Sequence, residues 1–386
     1  MTLLAAITTP AAAAAANHPV VLTPGAPPPA ATTALPTPID PADWALAPAD
    51  PALATAASFL AVSLSADTLT APRFRALLGS FLTTLSRSLA LPAPPAKLLP
   101  AVRAAAPYIP ATLVPVVASS AARLAEYDVL LALAETRALP HPPQGLVAAL
   151  DAAARPDILC AVIRQAADLR SAELLAALRC FLCPATDRAY DAMVAVKTRW
   201  KEAALAVANM AVDEPRTGAQ VTRRAAILLM MGHDGFTSPE VCLHYLFASR
   251  NVEDSLVLAA AVSELDGEEV ASLLRYLAKW VGKYSRFPEA QPCPEAVEIH
   301  KLEQCDSVPS LVAVARAMGL VLDQHFSHLV LNPELRQDLL AAGVMAKELA
   351  AEAEASGPIL DLLRRMPRAV QMFANFGKNK RTSTPN

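Results

Sequence analysis

The stretch EEVASLLRYLAKWVGK, residues 268–283, decides how this chain folds. Its apolar side chains recur every three or four residues, whereas its cationic side chains occupy the opposite side. This spacing predicts an amphipathic helix with one face in a core. Core packing is the favoured use of Tyr276 and Trp280. The alternative is that they anchor a partner protein, because aromatic side chains dominate the energetics of interfaces.

The composition of the whole chain agrees with a helical fold. The 386 residues are 54% hydrophobic and include only 12 glycines. Abundant Ala and Leu favour helices, and the scarcity of Gly and aromatic residues disfavours a β sandwich or a Gly-looped nucleotide-binding sheet. No repeat of fixed period is visible. We therefore predict an all-α protein, an irregular α-solenoid or helical bundle built of helical hairpins.

Changes in composition divide the chain into four predicted regions. Residues 1–50 are rich in Ala and Pro and predict a disordered arm, because they carry too little apolar surface to offset the entropy of ordering. Residues 51–211 predict an N-terminal helical subdomain, and residues 221–365 predict a C-terminal one. Charge, proline and glycine mark the boundary at residues 212–219. Residues 366–386 predict a basic flexible tail.

Proline and capping residues predict where helices begin and end. The Pro-rich steps at residues 91–96 and 139–143 each predict a helix end. The triplets Ser238-Pro-Glu and Asn332-Pro-Glu predict helix starts, because each offers a cap, a proline and an acid in that order. Residues 286–307 predict a long surface loop. No segment predicts a β-strand.

Charge and cysteine content limit the environment of the protein. A net charge of -3 gives no overall attraction to nucleic acid or to an anionic membrane. The first basic residue is Arg73, so neither a secretory nor an Arg-rich transit signal is predicted. Prolines interrupt the longest apolar run, so no membrane-spanning helix is expected. Six cysteines without paired spacing fit a reducing compartment.

Cys180 and Cys183 have the spacing that often supplies two zinc ligands. Zinc needs four ligands, and no second close pair accompanies them, since Cys242 and His244 are two residues apart and fall on different faces of a helix. We predict structural thiols, no metal and no cofactor.

His325 and His328 form a second candidate pair, because residues three apart share one helix face. They are candidates for metal binding, proton relay or contact with a partner. An apolar stripe runs through the position of His325, which favours the margin of a core. The sequence also lacks a nucleophile elbow, a P-loop and a dinucleotide fingerprint, so a non-enzymatic protein is predicted.

The C-terminal residues carry a cluster of cations. They are candidates for phosphate contacts or for a nuclear-import signal, and the alternative is a helix end followed by a solvated tail. RNA contact is predicted only through this tail. The six residues are Arg364, Arg365, Arg368, Lys378, Lys380 and Arg381.

Two segments resemble the C-terminal helical region of the nucleolar protein 11 family, which consists of small-subunit processome factors. They are LLRYLAKWV at residues 273–281 and VARAMGLVLDQHFSHLVLNPEL at residues 314–335. Members of that family carry an N-terminal β-propeller, whereas this chain has an Ala/Pro-rich arm and a helical block before these segments.

The resemblance implies a role and a location. It implies a nuclear, nucleolar scaffold that supports pre-rRNA transcription or 18S processing through contacts with other processome proteins and has no enzymatic activity. The alternative hypothesis is a generic α-solenoid adaptor of the cytoplasm or a plastid, unrelated to ribosome assembly.

Overall fold

The computed structural model describes part of the chain and confirms the all-α class. The described residues are 22–24, 44–46 and 50–351, apart from residues 67, 214–218, 288–289, 291, 293–294, 298–301, 337–338, 341–342, 345–346 and 348–350.

The N-terminal block consists of helices α1–α8. Their bounds are α1 Pro51–Leu64, α2 Ala71–Ser88, α3 Leu98–Ala105, α4 Val114–Arg123, α5 Tyr127–Glu135, α6 Leu146–Ala152, α7 Pro156–Gln165 and α8 Ser171–Leu182. Short 3-10 turns add to the helices, the first of them at Ala106–Tyr108. The Pro-rich steps fall where they were predicted, after α2 and between α5 and α6.

The C-terminal block includes helices α9–α14. Their bounds are α9 Asp187–Asp213, α10 Ala219–His233, α11 Ser238–Phe247, α12 Ser255–Val262, α13 Gly267–Arg286 and α14 Leu311–Leu331. The helix predicted from residues 268–283 is α13, and its buried face includes the apolar positions that defined it. Short 3-10 turns occur at Arg250–Val252, Glu303–Asp306 and Pro333–Leu335.

The arm before α1 contains one small β element. Leu22–Pro24 pairs antiparallel with Trp44–Leu46, so the expectation that no segment forms a strand was wrong for these residues. The rest of the predicted arm up to residue 49, and the basic tail at residues 366–386, lie outside the described residues.

Helix starts in the C-terminal block follow side-chain caps. Helix α11 begins one residue away from the prediction, because Thr237 rather than Ser238 is the cap and forms a reciprocal capping box with Glu240. Asn332 caps as predicted, but the segment that follows is a 3-10 turn. Asp266 caps α13 and is also part of a capping box. The carboxylates at that start therefore satisfy free backbone N–H groups.

One hydrophobic core runs through both blocks, from Leu53 to Leu335. Helices α9 and α10 pack along each other as a hairpin across the boundary predicted at residues 212–219. Helix α7 packs against α11, and α8 packs against α11 and α12. The predicted subdomains 51–211 and 221–365 therefore share a core. The change in composition at residues 212–219 marks the connection between α9 and α10, which both belong to that core.

The segment between α13 and α14 is more than a surface loop. Ala296 and Cys305 within it are fully buried and belong to the core. Tyr284 near the end of α13 donates a hydrogen bond of 2.6 Å to the carbonyl oxygen of Pro309, which ties the end of this segment to the helix before it. Weak periodicity concealed these isolated anchoring residues. Within the described residues, no helix has the length and apolarity needed to span a membrane.

Candidate functional site: a buried aromatic cluster and a cationic groove

A cluster of aromatic rings surrounds His244 at the centre of the C-terminal block. The ring of Phe236 lies edge-on to His244 at 4.6 Å between centroids, and Trp280 lies edge-on at 4.9 Å. Tyr276 stacks on His244 at 5.6 Å, and Trp200 approaches from α9 at 5.3 Å. We call these five residues the aromatic cluster. It joins α9, α11, α13 and the turn after α10.

Hydrogen bonds fix the protonation of His244. Its Nε2 lies 2.9 Å from the carbonyl oxygen of Gly232, which can only accept, so Nε2 carries the proton. Its Nδ1 then accepts from the Tyr276 hydroxyl at 3.0 Å and from Trp280 Nε1 at 3.3 Å. Burial lowers the pKa of His244 to about 3, with a smaller contribution from Lys283 in the same direction, opposed by the bond to Gly232. The imidazole is neutral at physiological pH.

Gly232 has a packing role beside this cluster. A Cβ atom at this position would lie 2.9 Å from the ring of Trp200. Trp200 also donates a hydrogen bond of 3.0 Å from Nε1 to the carbonyl oxygen of Leu229. The absence of a side chain therefore lets α9 approach α10 closely.

The structure excludes Tyr276 and Trp280 as surface contacts for a partner. Both side chains are completely buried in the aromatic cluster. Their predicted use in the core is correct, and the alternative that they anchor a partner was wrong. Aromatic residues at helical spacing occur both in cores and in interfaces, so the sequence pattern alone did not separate the two uses.

His325 and His328 both face the turn between α12 and α13. His325 is partly buried and donates from Nε2 to the carbonyl oxygen of Val262 at 2.8 Å, at a point where its own backbone departs from helical geometry. His328 is exposed, and its ring lies where a Cβ atom on Gly267 would come within 2.6 Å. His325 thus lies at the core margin as favoured, and His328 remains accessible to a partner.

The cysteines differ in exposure. Cys180 is buried and Cys183 is exposed, so only the first of the pair packs inside the protein. Burial, together with a hydrogen bond to Asp151, raises the pKa of the Cys180 thiol. Burial and contact with Cys242 likewise raise the pKa of Cys160. In the part of the chain that the structure describes, no three His, Cys, Asp or Glu residues are grouped to hold a metal ion.

A second site, absent from the sequence prediction, lies on the surface of the same block. A groove of about 590 Å³ runs between the first turns of α10 and the end of α13. We call it the cationic groove. The residues that line it include Gln220, Arg223, Arg224, Ile227, Arg286 and Phe287.

The groove combines exposed cations with exposed apolar side chains. Ile227 is 42% exposed and Phe287 is 49% exposed, both high for large apolar residues. Among the described residues, no carboxylate forms an ion pair with Arg223, Arg224 or Arg286. The surface is therefore able to offer guanidinium donors and apolar contact to one ligand.

Two lysines closer to the middle of α13 form ion pairs with carboxylates. Lys279 lies 2.8 Å from Glu240, and Lys283 lies 3.8 Å from Asp234. Of the three cations in the second half of α13, Arg286 is the one without an ion pair to a described carboxylate.

The sequence contained one signal for this groove. One face of the helix that follows the predicted boundary at residues 212–219 carries Gln220, Arg223, Arg224 and Ile227, which are spaced at three and four residues. Arg286 was placed at the start of a loop, and nothing in its local sequence relates it to α10. Only the packing of α10 and α13 brings these arginines together. The six tail cations that the sequence favoured lie outside the described residues.

Comparison with known proteins returned no relative. No protein-family model, curated protein or solved structure matches this chain. The resemblance to the nucleolar family stays a prediction.

Proposed function

We propose that this protein is a non-enzymatic helical adaptor that binds other proteins through its C-terminal block. The cationic groove is the observation that carries the proposal. Three guanidinium groups without a described carboxylate partner lie beside exposed Ile227 and Phe287 in one concave surface. Exposed arginine and aromatic side chains together are typical of protein-binding surfaces.

Buried titratable groups in both blocks support a structural role for the helical core. His244 is neutral, enclosed and already hydrogen-bonded through both ring nitrogens. The thiols of Cys160 and Cys180 are buried with raised pKa values, which keeps them protonated and weakly nucleophilic. These three groups are thus engaged in packing the helices together, which supports the proposal of a non-enzymatic adaptor.

The finer proposal is a nucleolar scaffold for assembly of the small ribosomal subunit. It is supported by the two segments that resemble the nucleolar family. They lie mainly in α13 and α14, which pack against each other. Many residues of the first segment are buried, so the likeness bears on how this helical pair is built, and the groove supplies the binding surface.

Localisation and purification of the full-length chain test this function. A fluorescently tagged protein should coincide with a nucleolar marker, and affinity purification with mass spectrometry should recover small-subunit processome proteins. Exclusion from the nucleolus together with purifications that lack those proteins would reject the ribosome-assembly role.

A deletion variant without residues 366–386 separates the two predicted locations. Loss of nuclear signal on deletion assigns the tail cations to import. A cytoplasmic or plastid adaptor would keep its location when the tail is removed.

A further inference from the structure

We infer that the cationic groove binds an acidic, extended peptide segment of a partner protein, with one aliphatic or aromatic side chain seated between Ile227 and Phe287. This inference rests on the proposed adaptor function and names the class of partner. It is independent of whether that partner belongs to the ribosome-assembly machinery.

The first argument is the charge of the groove. Arg223 and Arg224 lie about one turn inside the start of α10, where the helix dipole already favours negative charge. Arg286 adds a third cation from α13. Like charges brought together without described counterions repel one another, and a ligand with carboxylates relieves this repulsion. Arginine forks also match the geometry of carboxylates, which allows paired hydrogen bonds.

The second argument is the apolar part of the groove. Ile227 and Phe287 are exposed in the free chain, and Ala290 between the helices is buried. An apolar side chain of the ligand covers this surface and removes it from water. A small inorganic anion would satisfy the arginines but leave these side chains exposed.

The same features favour a peptide over nucleic acid. Proteins that bind single-stranded nucleic acid usually have a continuous row of cations along the phosphate backbone and aromatic rings that stack on the bases. Here the lysines next along α13 form ion pairs with Glu240 and Asp234, and Phe287 is the single aromatic ring among the described residues that line the groove. The cationic surface is short and mixed with aliphatic contact, which fits a short acidic segment.

Fluorescence anisotropy with the purified full-length chain tests this inference. The probe is a labelled synthetic peptide in which Glu residues flank a central Leu. Replacing Arg223 and Arg224 together by Glu should weaken binding by about tenfold or more. Replacing Arg73 and Arg87 by Glu is the matched control, because these are exposed arginines on α2 and change net charge equally. The control should leave the affinity unchanged.

Two further probes separate charge from apolar contact. A peptide with Gln in place of Glu should lose most of its affinity. Phe287→Ala should weaken binding of the Leu peptide but not of a peptide with Ser in place of Leu. Rising salt should lower the affinity for the acidic peptide.

Several results would overturn the inference. They are no binding of the acidic peptide by the wild-type chain, equal loss in the α2 control, or tighter binding of a single-stranded RNA oligonucleotide that the groove substitutions abolish. These outcomes differ from failure of the proposed function. If purifications from cells yield processome proteins but the wild-type chain does not bind the acidic peptide, the function stands and the groove inference fails.

Discussion

The two blocks of this molecule differ in the side chains that fill the space between their helices. The N-terminal block is filled mainly by Leu, Val and Ala, and its buried polar side chains are few. The C-terminal block is filled around His244 by aromatic rings whose polar atoms are hydrogen-bonded to one another. Aliphatic cores tolerate rearrangement at similar volume, whereas a hydrogen-bonded ring cluster specifies one arrangement. The surface groove is found on the block with the more specific core.

Helix ends differ between the blocks as well. Four helices of the N-terminal block end with a residue at positive φ that is not glycine: Ala90, Ala125, Arg137 and Ala154. In each case the next residue donates back to a carbonyl five positions earlier, as Glu126 does to Ala121 at 2.8 Å. The C-terminal block uses Gly235 for the turn after α10. The N-terminal block therefore retains backbone strain that glycine would relieve.

The largest effect is expected at Trp200, where α9, α10 and α11 of the C-terminal block pack together. Trp200→Ala should lower the free energy of unfolding by about 3–5 kcal/mol, because it removes a fully buried ring that contacts α10 and α11. Chemical denaturation followed by circular dichroism measures this loss. Leu205→Ala on the same helix is the control, since Leu205 is exposed and its truncation should change stability little.

The shape of that transition decides whether the blocks are one unit. A shared core predicts that the whole helical signal is lost in a single transition at lower denaturant. A biphasic curve in which part of the signal keeps the wild-type midpoint would show that the blocks unfold independently.

The second-largest effect is expected at Asn251, which connects the two blocks. Its Oδ1 accepts from the backbone N–H of Leu169 at 2.9 Å, and its Nδ2 donates to the carbonyl oxygen of Ala166 at 3.1 Å. Asn251→Ala should cost about 2–3 kcal/mol, because it leaves buried backbone groups between α7 and α8 without these partners. Asn209→Ala, at an exposed position of α9, should be close to neutral. Equal stability of the two variants would remove the bridging role.

The aromatic cluster predicts that stability depends on pH through His244. The pKa of His244 is about 3 in the folded protein and 6.5 at its usual value, so the unfolded chain takes up the proton first. Stability from this group is complete above pH 6.5 and is lost as pH falls toward 3. The expected slope is roughly 1.4 kcal/mol per pH unit, or about 2 kcal/mol between pH 7 and pH 5.

His244→Gln isolates this contribution. The amide can still donate and accept within the cluster, but it does not titrate. Chemical denaturation of both proteins between about pH 5 and pH 7 measures the free energy of unfolding. This free energy should depend less steeply on pH in the variant. All other ionisable groups are the same in the two proteins, so the difference between the curves reports on His244. Parallel curves would mean that His244 does not control the acid response.

How much the sequence could predict also differs between the blocks. The all-α class and the position of α13 followed from periodicity, proline steps and caps, which act within one or two turns of chain. The one-residue error at Ser238 arose because Thr237 and Ser238 are both good capping residues. Local signals could not show that the break at residues 212–219 separates helices of one core.

Sites were harder to predict than helices because they depend on contacts distant in sequence. The cationic groove is lined by Arg223 and Arg286, which are far apart in the sequence. The aromatic cluster connects Trp200 and Trp280 through His244. The sequence pattern pointed to Trp280 but gave no reason to single out Trp200. His325 was placed correctly at the core margin because the apolar stripe on its own helix was sufficient evidence.

The smallest expected effect concerns the strained helix ends of the N-terminal block. Ala125→Gly should raise the free energy of unfolding by roughly 0.5–1 kcal/mol, because glycine adopts the positive φ of 57° without the steric cost paid by Ala. Ala148→Gly is the matched control at an exposed interior position of α6, where glycine should destabilise by about 1 kcal/mol. Opposite signs in denaturation midpoints would confirm that these ends retain strain. If both variants were less stable, the added freedom of the unfolded chain would outweigh the relief at Ala125, and glycine would offer no advantage at these turns.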